Sequence, residues 1–202
     1  VPLDIVQQLR LHGDPEIDQL LDKHWGRTRA TPEEKQHQIE RVRRLWTSRV
    51  IAGRGSSSTA NADPFAGREL FRKHCGVCHT LFGEGGQTGP KLTGYERDNL
   101  DFLLTPIVYP SAAIREEFTQ FQVVTRDGLA LNGLLDDQTA TTITLRGANN
   151  QTTLLNREEV EILKAVETSL MPDGLLEKLT DEEVVNLLAY VTRRTPLPAQ
   201  RE

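Results

Sequence analysis

The run Cys75-Gly76-Val77-Cys78-His79 constrains this chain more than any other feature of it. C-x-x-C-H is the attachment sequence for a c-type haem. Two thiols three positions apart, at the end of a helical turn, can each add to one vinyl group of the same porphyrin. The imidazole of the next residue is then left beneath the iron. The spacing predicts haem c held through Cys75 and Cys78, with His79 as the proximal ligand. Other chemistries also use a Cys-x-x-Cys pair. Zinc would need two more ligands at suitable spacing, and these are the only 2 cysteines in the chain. A thioredoxin-type pair belongs in a βαβ setting, whereas residues 66–74 read as helix and are followed by a Gly-rich loop.

An iron held by one histidine takes a sixth ligand, a water or an open position, and that choice separates an electron carrier from a site of chemistry. The chain has 1 methionine, Met171, in the loop Ser169-Leu170-Met171-Pro172-Asp173-Gly174. Thr180-Asp181-Glu182-Glu183 follows and has the form of a capping box, so the last helix starts there. A thioether presented from an irregular loop ahead of that helix is a candidate sixth ligand. The competing role is the commoner one for methionine, a flexible filler of a core gap, but Met-Pro in a loop is an unusual place for it. His12, His24 and His37 lie in a polar helical region and read as solvated surface residues. His74 is too close to Cys75 to reach the far face of the ring, and Lys91 is a poorer alternative.

Together these motifs resemble a class I cytochrome c: Gly67, Phe71 and Cys75 at four-residue spacing, the Cys-x-x-Cys-His run, Gly89-Pro90-Lys91-Leu92, Met171-Pro172 and Leu187-Leu188-Ala189-Tyr190-Val191. The resemblance implies that the first and last helices of that domain cross at Gly67 and Tyr190, with Phe71 packed near the haem. It implies that the Pro90 carbonyl accepts the Nδ1 proton of His79, which would fix the ring orientation, and that Leu92 belongs to the haem surroundings. Tyr95 and Arg97 are candidates to bond the haem propionates, against ordinary core and surface placement. Gly83-Glu84-Gly85-Gly86, Tyr109-Pro110-Ser111 and Asp127-Gly128 extend the pattern. The longer pattern is similar to the haem-binding domain at the C-terminus of large planctomycete and verrucomicrobial multidomain proteins. In those, a dehydrogenase domain often precedes it, and the resemblance covers about residues 63–194.

The expected organisation is a helical extension over 1–52, similar to the end of a helical-repeat region, then a linker at 53–62. A cytochrome c domain over 63–195 carries a β-module at 116–167, and 196–202 form a tail. Asp14-Pro15-Glu16 and Thr31-Pro32-Glu33-Glu34 start helices in the extension. Their apolar stripes are Ile17, Leu20, Leu21 and Trp25, with Gly26 as the stop, and Ile39, Val42, Leu45, Trp46 and Val50. Within 116–167, alternating runs at 119–125, 129–135, 141–146, 151–155 and 160–163 are separated by turn residues and predict a small antiparallel module, taken as an Sm-like or SH3-like barrel. The expected fold class is a mainly α cytochrome c fold with this inserted β-module and an N-terminal helical extension.

Charge bears on partners. Residues 23–54 hold 9 basic and 3 acidic side chains, and residues 55–202 hold 14 and 21. The basic stretch lacks interleaved aromatics or a nucleic-acid motif. The β-module, with 9 acids and 4 bases, would repel a polyanion. No nucleic-acid partner is therefore expected, and no apolar run approaches the roughly 20 residues of a membrane span. The absence of a signal-peptide pattern at Val1 reads as a mature chain or a piece of a longer one. The expected function is non-enzymatic: a periplasmic electron carrier with one covalent His79/Met171 haem c, accepting electrons from a fused or separate dehydrogenase. The alternative is a haem c enzyme, or a gas or redox sensor, with a labile or open sixth position.

Overall fold

Among the described residues, four of the five helices begin at a residue whose side chain accepts from the amides of their first turn. The structure, a computed structural model, describes residues 14–25, 27–28, 31–53 and 62–198 together with Val6 and Leu9. His12, Gly26, most of the expected linker (54–61) and residues 199–202 lie outside the described residues, as do the side chains of Trp25 and Val50. Helix α1 is Pro15–Trp25, with the Asp14 carboxylate accepting from Glu16 N at 2.9 Å. Helix α2 is Glu33–Gly53. Helix α3, Pro64–His74, starts at Asp63, which accepts from Phe65 N at 2.8 Å. Helix α4, Leu100–Val108, is capped by Asn99, and helix α5, Asp181–Val191, by the reciprocal Thr180/Glu183 box. There Glu183 N donates to Thr180 Oγ1 at 3.2 Å and Thr180 N donates to Glu183 Oε2 at 2.8 Å.

The apolar stripes of these helices converge on one core. Phe71, Leu104, Val184, Leu188 and Tyr190 are buried together with Ile39 and Val42 of α2, and Leu45 and Trp46 of α2 pack against them. Helix α2 is therefore built into the cytochrome core and does not stand apart as an extension. Burying Ile39 and Val42 relative to leaving them exposed is worth about 1.5–3 kcal/mol each, which holds the helix in place. A smaller cluster joins Val6, Leu21 and Ala112, with Ile17 and Tyr109 against it. Leu20, expected in that stripe, is 59% exposed. Two two-residue strands, β1 (Arg27–Thr28) and β4 (Ala113–Ile114), pair antiparallel and tie the N-terminal part to the segment after α4. Another short pair, β2 (Thr80–Leu81) with β3 (Glu84–Gly85), follows the Cys-x-x-Cys-His run.

The expected fold class is corrected here. The chain is not mainly α with a small insert, because β5 (Gln120–Thr125), β6 (Ala130–Gln138), β7 (Thr142–Arg146), β8 (Thr152–Asn156) and β9 (Val160–Ala165) form a five-stranded antiparallel sheet beside, among the described residues, five helices. The strand order is β8-β7-β6-β5-β9, so β8 and β9 are the two edges and no ladder closes the sheet into a barrel. A meander of four hairpin-linked strands makes most of the sheet, and β9 returns to pair with β5 in the register Phe121↔Ala165. Val123, Ile143, Leu145 and Leu155 form its own apolar cluster, separate from the helical core. With that much buried apolar surface the sheet is a principal component of the fold.

Helices α3 and α5 cross at Gly67. A Cβ there would lie 1.9 Å from the Asn186 carbonyl oxygen and 2.9 Å from Tyr190 Cβ. Asn186 is buried, and its side-chain oxygen accepts from Asp63 N at 2.8 Å, so the same contact also holds the start of α3. Replacing Gly67 by Ala should force the helices apart and destabilise the protein by about 1–3 kcal/mol, the usual cost of overpacking, measured by denaturant unfolding. At the α5 cap, the Thr180 bonds hold the Glu183 carboxyl below its ordinary range. The stability this group contributes is complete above the ordinary glutamate range and is lost as pH falls through the lowered value. Glu183→Gln keeps the reach of the side chain without the titration, so its stability should fall less on acidification than that of the unmodified chain.

Candidate functional site

The end of α3 builds the first wall of the site. Cys75 N and Gly76 N both donate to the Phe71 carbonyl, at 2.8 and 2.6 Å, and Cys78 N and His79 N then donate to the Cys75 carbonyl at 3.1 and 2.9 Å. The chain thus makes one more turn after the helix, with both thiols and the imidazole on it. The loop that follows folds back onto this turn. Gly86 N donates to Gly76 O at 2.7 Å, Gly89 N to Cys78 O at 2.8 Å and Leu92 N to Thr80 O at 2.8 Å. Gly85 and Gly86 permit the approach, since a Cβ on either would lie 2.1 Å from the carbonyl oxygen of His79 or Val77.

The imidazole is held on two sides. His79 Nδ1 lies 2.9 Å from the Pro90 carbonyl oxygen. A carbonyl can only accept, so Nδ1 carries the proton and Nε2 presents its lone pair. A Cβ at Gly89 would be 2.7 Å from His79 Cε1, which means the backbone lies flat against the ring. Burial pushes His79 below its ordinary pKa, and the Pro90 bond opposes this only in part, so the ring is neutral at neutral pH. Burial also raises both thiols, Cys75 to about 12 with the neighbouring Cys78 adding to the shift. Before haem is attached they are protonated thiols, unlike the low-pKa pair of a disulfide oxidoreductase.

All nine residues singled out in the sequence, Phe71, Cys75, Cys78, His79, Pro90, Leu92, Tyr95, Arg97 and Met171, line one cavity of about 350 Å3. Its remaining walls include Phe102, Leu103, Ile107, Leu176, Leu187, Leu188 and Val191. The donor set fits a c-type haem: two thiols for the vinyl groups, a neutral imidazole with a free Nε2, a thioether, and apolar side chains for a flat macrocycle. Among the described residues, no group of three or more His, Cys, Asp or Glu is placed to hold a metal ion by itself.

Met171 is half-buried, and its amide donates to Ser169 Oγ at 3.1 Å. Tyr95 is half-buried beside Phe102, with ring centroids 6.3 Å apart. Arg97 is 5% exposed, and its donors are occupied by carbonyls. Nε donates to Val191 O at 2.8 Å, one Nη to Thr93 O at 2.8 Å and to Leu92 O, and the other Nη to Arg193 O at 2.6 Å. It ties the loop after His79 to the C-terminal end of α5, where carbonyls lack helical partners. Of the other histidines, His74 and His24 also line the cavity, whereas His37 is exposed beside Glu33. Lys91 is exposed.

Several contributors were not singled out from sequence. Gly89 was quoted only as part of a Gly-Pro pair, yet it is the residue against the ring. The turn between β7 and β8 reaches the haem-attachment run: Cys78 Sγ lies 3.2 Å from Ala148 O, Thr88 Oγ1 lies 3.1 Å from Asn150 Oδ1, and Arg146 donates to Gln87 O at 3.1 Å. Leu134 of β6 lines the cavity as well. No local signal marks the contacts made from the sheet, because they join residues 59 to 70 positions apart. No helix among the described residues is long and apolar enough to cross a membrane.

No curated protein matches the chain. The family model described as cytochrome c matches residues 65–194, which takes in both cysteines, His79, Pro90, Met171 and the crossing of α3 with α5. This chain therefore belongs to the cytochrome c family, with the covalent haem c and the general electron-transfer role that the family implies.

Proposed function

We propose that this chain is a non-enzymatic electron carrier holding one haem c, with His79 and Met171 as the axial ligands. The observation that carries this reading is that one apolar cavity is lined by both thiols, by the His79 imidazole and by the chain's Met171. When bound, the haem supplies a one-electron iron couple. Cys75 and Cys78 fix its position, and Pro90 and Gly89 fix the imidazole, so little rearrangement accompanies a change of charge. Met171, which lines the same cavity, would be the second residue to hold the iron and would keep small ligands from it. A thioether favours ferrous iron over ferric relative to a second nitrogen ligand, which suits a carrier that accepts electrons from a dehydrogenase. Because haem c of this type is attached outside the bacterial cytoplasm, the same reading makes the protein periplasmic. The donor is then a dehydrogenase, either a separate partner or a domain of the same polypeptide, as the resemblance to the planctomycete and verrucomicrobial proteins implies.

A second reading rests on His24, which lines the same cavity. If Met171 leaves the iron, the sixth position becomes open, or available to that imidazole, and a sensor or enzyme role follows.

Extraction with acid and organic solvent should leave the haem on the denatured polypeptide, and mutating both Cys75 and Cys78 to Ala should release it. Haem that extracts from the unmodified chain would overturn covalent attachment. The sixth ligand is tested by spectroscopy. The oxidised protein should be low-spin, with the weak long-wavelength band of sulfur-to-iron charge transfer, and the reduced protein should resist CO. Met171→Ala should abolish the band, admit CO and lower the potential by on the order of 0.1 V, a fraction of the range that axial ligation spans. Met171→His should restore six-coordination and give the lower potential of two nitrogen ligands. A high-spin unmodified protein that binds CO readily at neutral pH would instead favour the sensor or enzyme reading.

A further inference from the structure

The Met171 loop is weakly tied to the domain by its own backbone. Among the described residues, the backbone amides of 170–179 find acceptors only within 169–179: Met171 N on Ser169 Oγ, Gly174 N on Asp173 Oδ1 at 2.7 Å, Glu177 N on Gly174 O at 3.2 Å and Leu179 N on Leu176 O at 3.3 Å. The outer side of this loop is gripped by α2. Lys35 Nζ lies 2.6 Å from Asp173 Oδ1 and 3.8 Å from Glu177, and Gln38 Nε2 donates to Glu177 Oε1 at 2.7 Å. The Lys35 side chain is only 14% exposed. Ile39 and Val42 on the same helix are buried in the cluster that contains Leu176 of the loop. One helix thus supplies a cation, an amide and two apolar side chains to a segment that starts two residues after Met171. Helix α2 lies before the residues the family model matches, 65–194, so this grip is an addition to the cytochrome c domain.

We propose that α2 is a brace for the sixth ligand, with Lys35 and Gln38 as positioning residues that keep the Asp173–Glu177 segment in place and so hold Met171 on the iron. The proposal rests on Met171 being that ligand. A ligand on an untethered loop is bound for a smaller fraction of the time, and the apparent affinity of any competitor rises in proportion to the fraction released. Both polar contacts are partly exposed, so each is worth a modest factor.

The test uses the haem-loaded full chain, with Lys35→Ala/Gln38→Ala compared with Arg41→Ala. Arg41 lies on the same helix but pairs with Asp181 at the start of α5, at 2.6 Å, and so reports the general docking of α2. In the Lys35/Gln38 variant the charge-transfer band should weaken, CO affinity of the reduced protein should rise about fivefold, and amides of 171–179 should exchange faster. Arg41→Ala should keep the band and the CO affinity of the parent. The exchanged pair Lys35→Asp/Asp173→Lys should recover most of the lost band. A parent with a normal band, joined to a Lys35/Gln38 variant that shows the same band and CO affinity, or to an Arg41 variant changed equally, overturns the brace alone. A parent with no band at all overturns Met171 ligation, and the brace falls with it.

Discussion

The close crossing of α3 and α5 is the constraint on which the rest of the site depends. Gly67 brings the backbone of one helix against the Asn186 carbonyl of the other, at a separation no side chain could share. Phe71, one turn on, is then buried beside Tyr190, with ring centroids 5.6 Å apart, and Tyr190 in turn meets Phe82 edge-on at 6.1 Å. Cys75 and the turn that carries His79 emerge directly from the end of α3, so their position is inherited from this crossing. Arg97 closes the arrangement from the other end by joining the loop after His79 to the last carbonyls of α5. A shift between the two helices would therefore move the thiols, the imidazole and the cavity floor together.

The imidazole shows how little freedom the site leaves. Its orientation is determined by a carbonyl on one edge and a glycine backbone against the ring, and neither contact can move without displacing the chain between Gly86 and Leu92. Pro90 offers its carbonyl from a residue with fixed φ, which makes the acceptor as rigid as a backbone can provide. A ligand held in one tautomer and one rotation presents the same lone pair in both charge states of a metal. That is the condition for low reorganisation on electron transfer.

What could be read from the chain alone follows the reach of the interactions. The cysteine run was legible because covalent attachment demands fixed residue types at short spacing, whereas Pro90 and the Gly67/Tyr190 pair, 123 positions apart, were legible only through the resemblance to class I cytochromes c. The five strands were legible too, since each alternates over a few residues, with observed bounds within a few positions of those expected. Their assembly was not legible: pairing β5 with β9 joins residues separated by the whole sheet, and nothing local distinguishes an open sheet from a closed one. The stripe on α2 was visible as Ile39 and Val42, but the surface it covers was not, because Leu176 and Asp173 lie far along the chain. Arg97 was conspicuous as a cation near the haem loop. Its bonds to Val191 and Arg193 arise from unpaired carbonyls at a helix end, which exist only once α5 has docked.

The strands by which the chain enters and leaves the sheet have a consequence for the statistics of the chain. The inserted segment leaves the helical domain through β5 and comes back through β9, and these strands are hydrogen-bonded neighbours, with Val166 N on Gln120 O at 2.8 Å. Ser169 N on Ser111 Oγ, at 3.1 Å, brings the two flanks together again just before Met171. A disordered connection spanning residues 121–165 would add about 3 kcal/mol of closure entropy over a connection of one or two residues. Folded as this sheet, the same residues behave as a short linker, because their ends are already adjacent. The effective tether between α4 and the Met171 loop is thus set by the spacing of two paired strands and not by the number of residues between them. Hairpins other than the one between β7 and β8, whose turn meets Cys78 and Thr88, can vary in length without lengthening that tether.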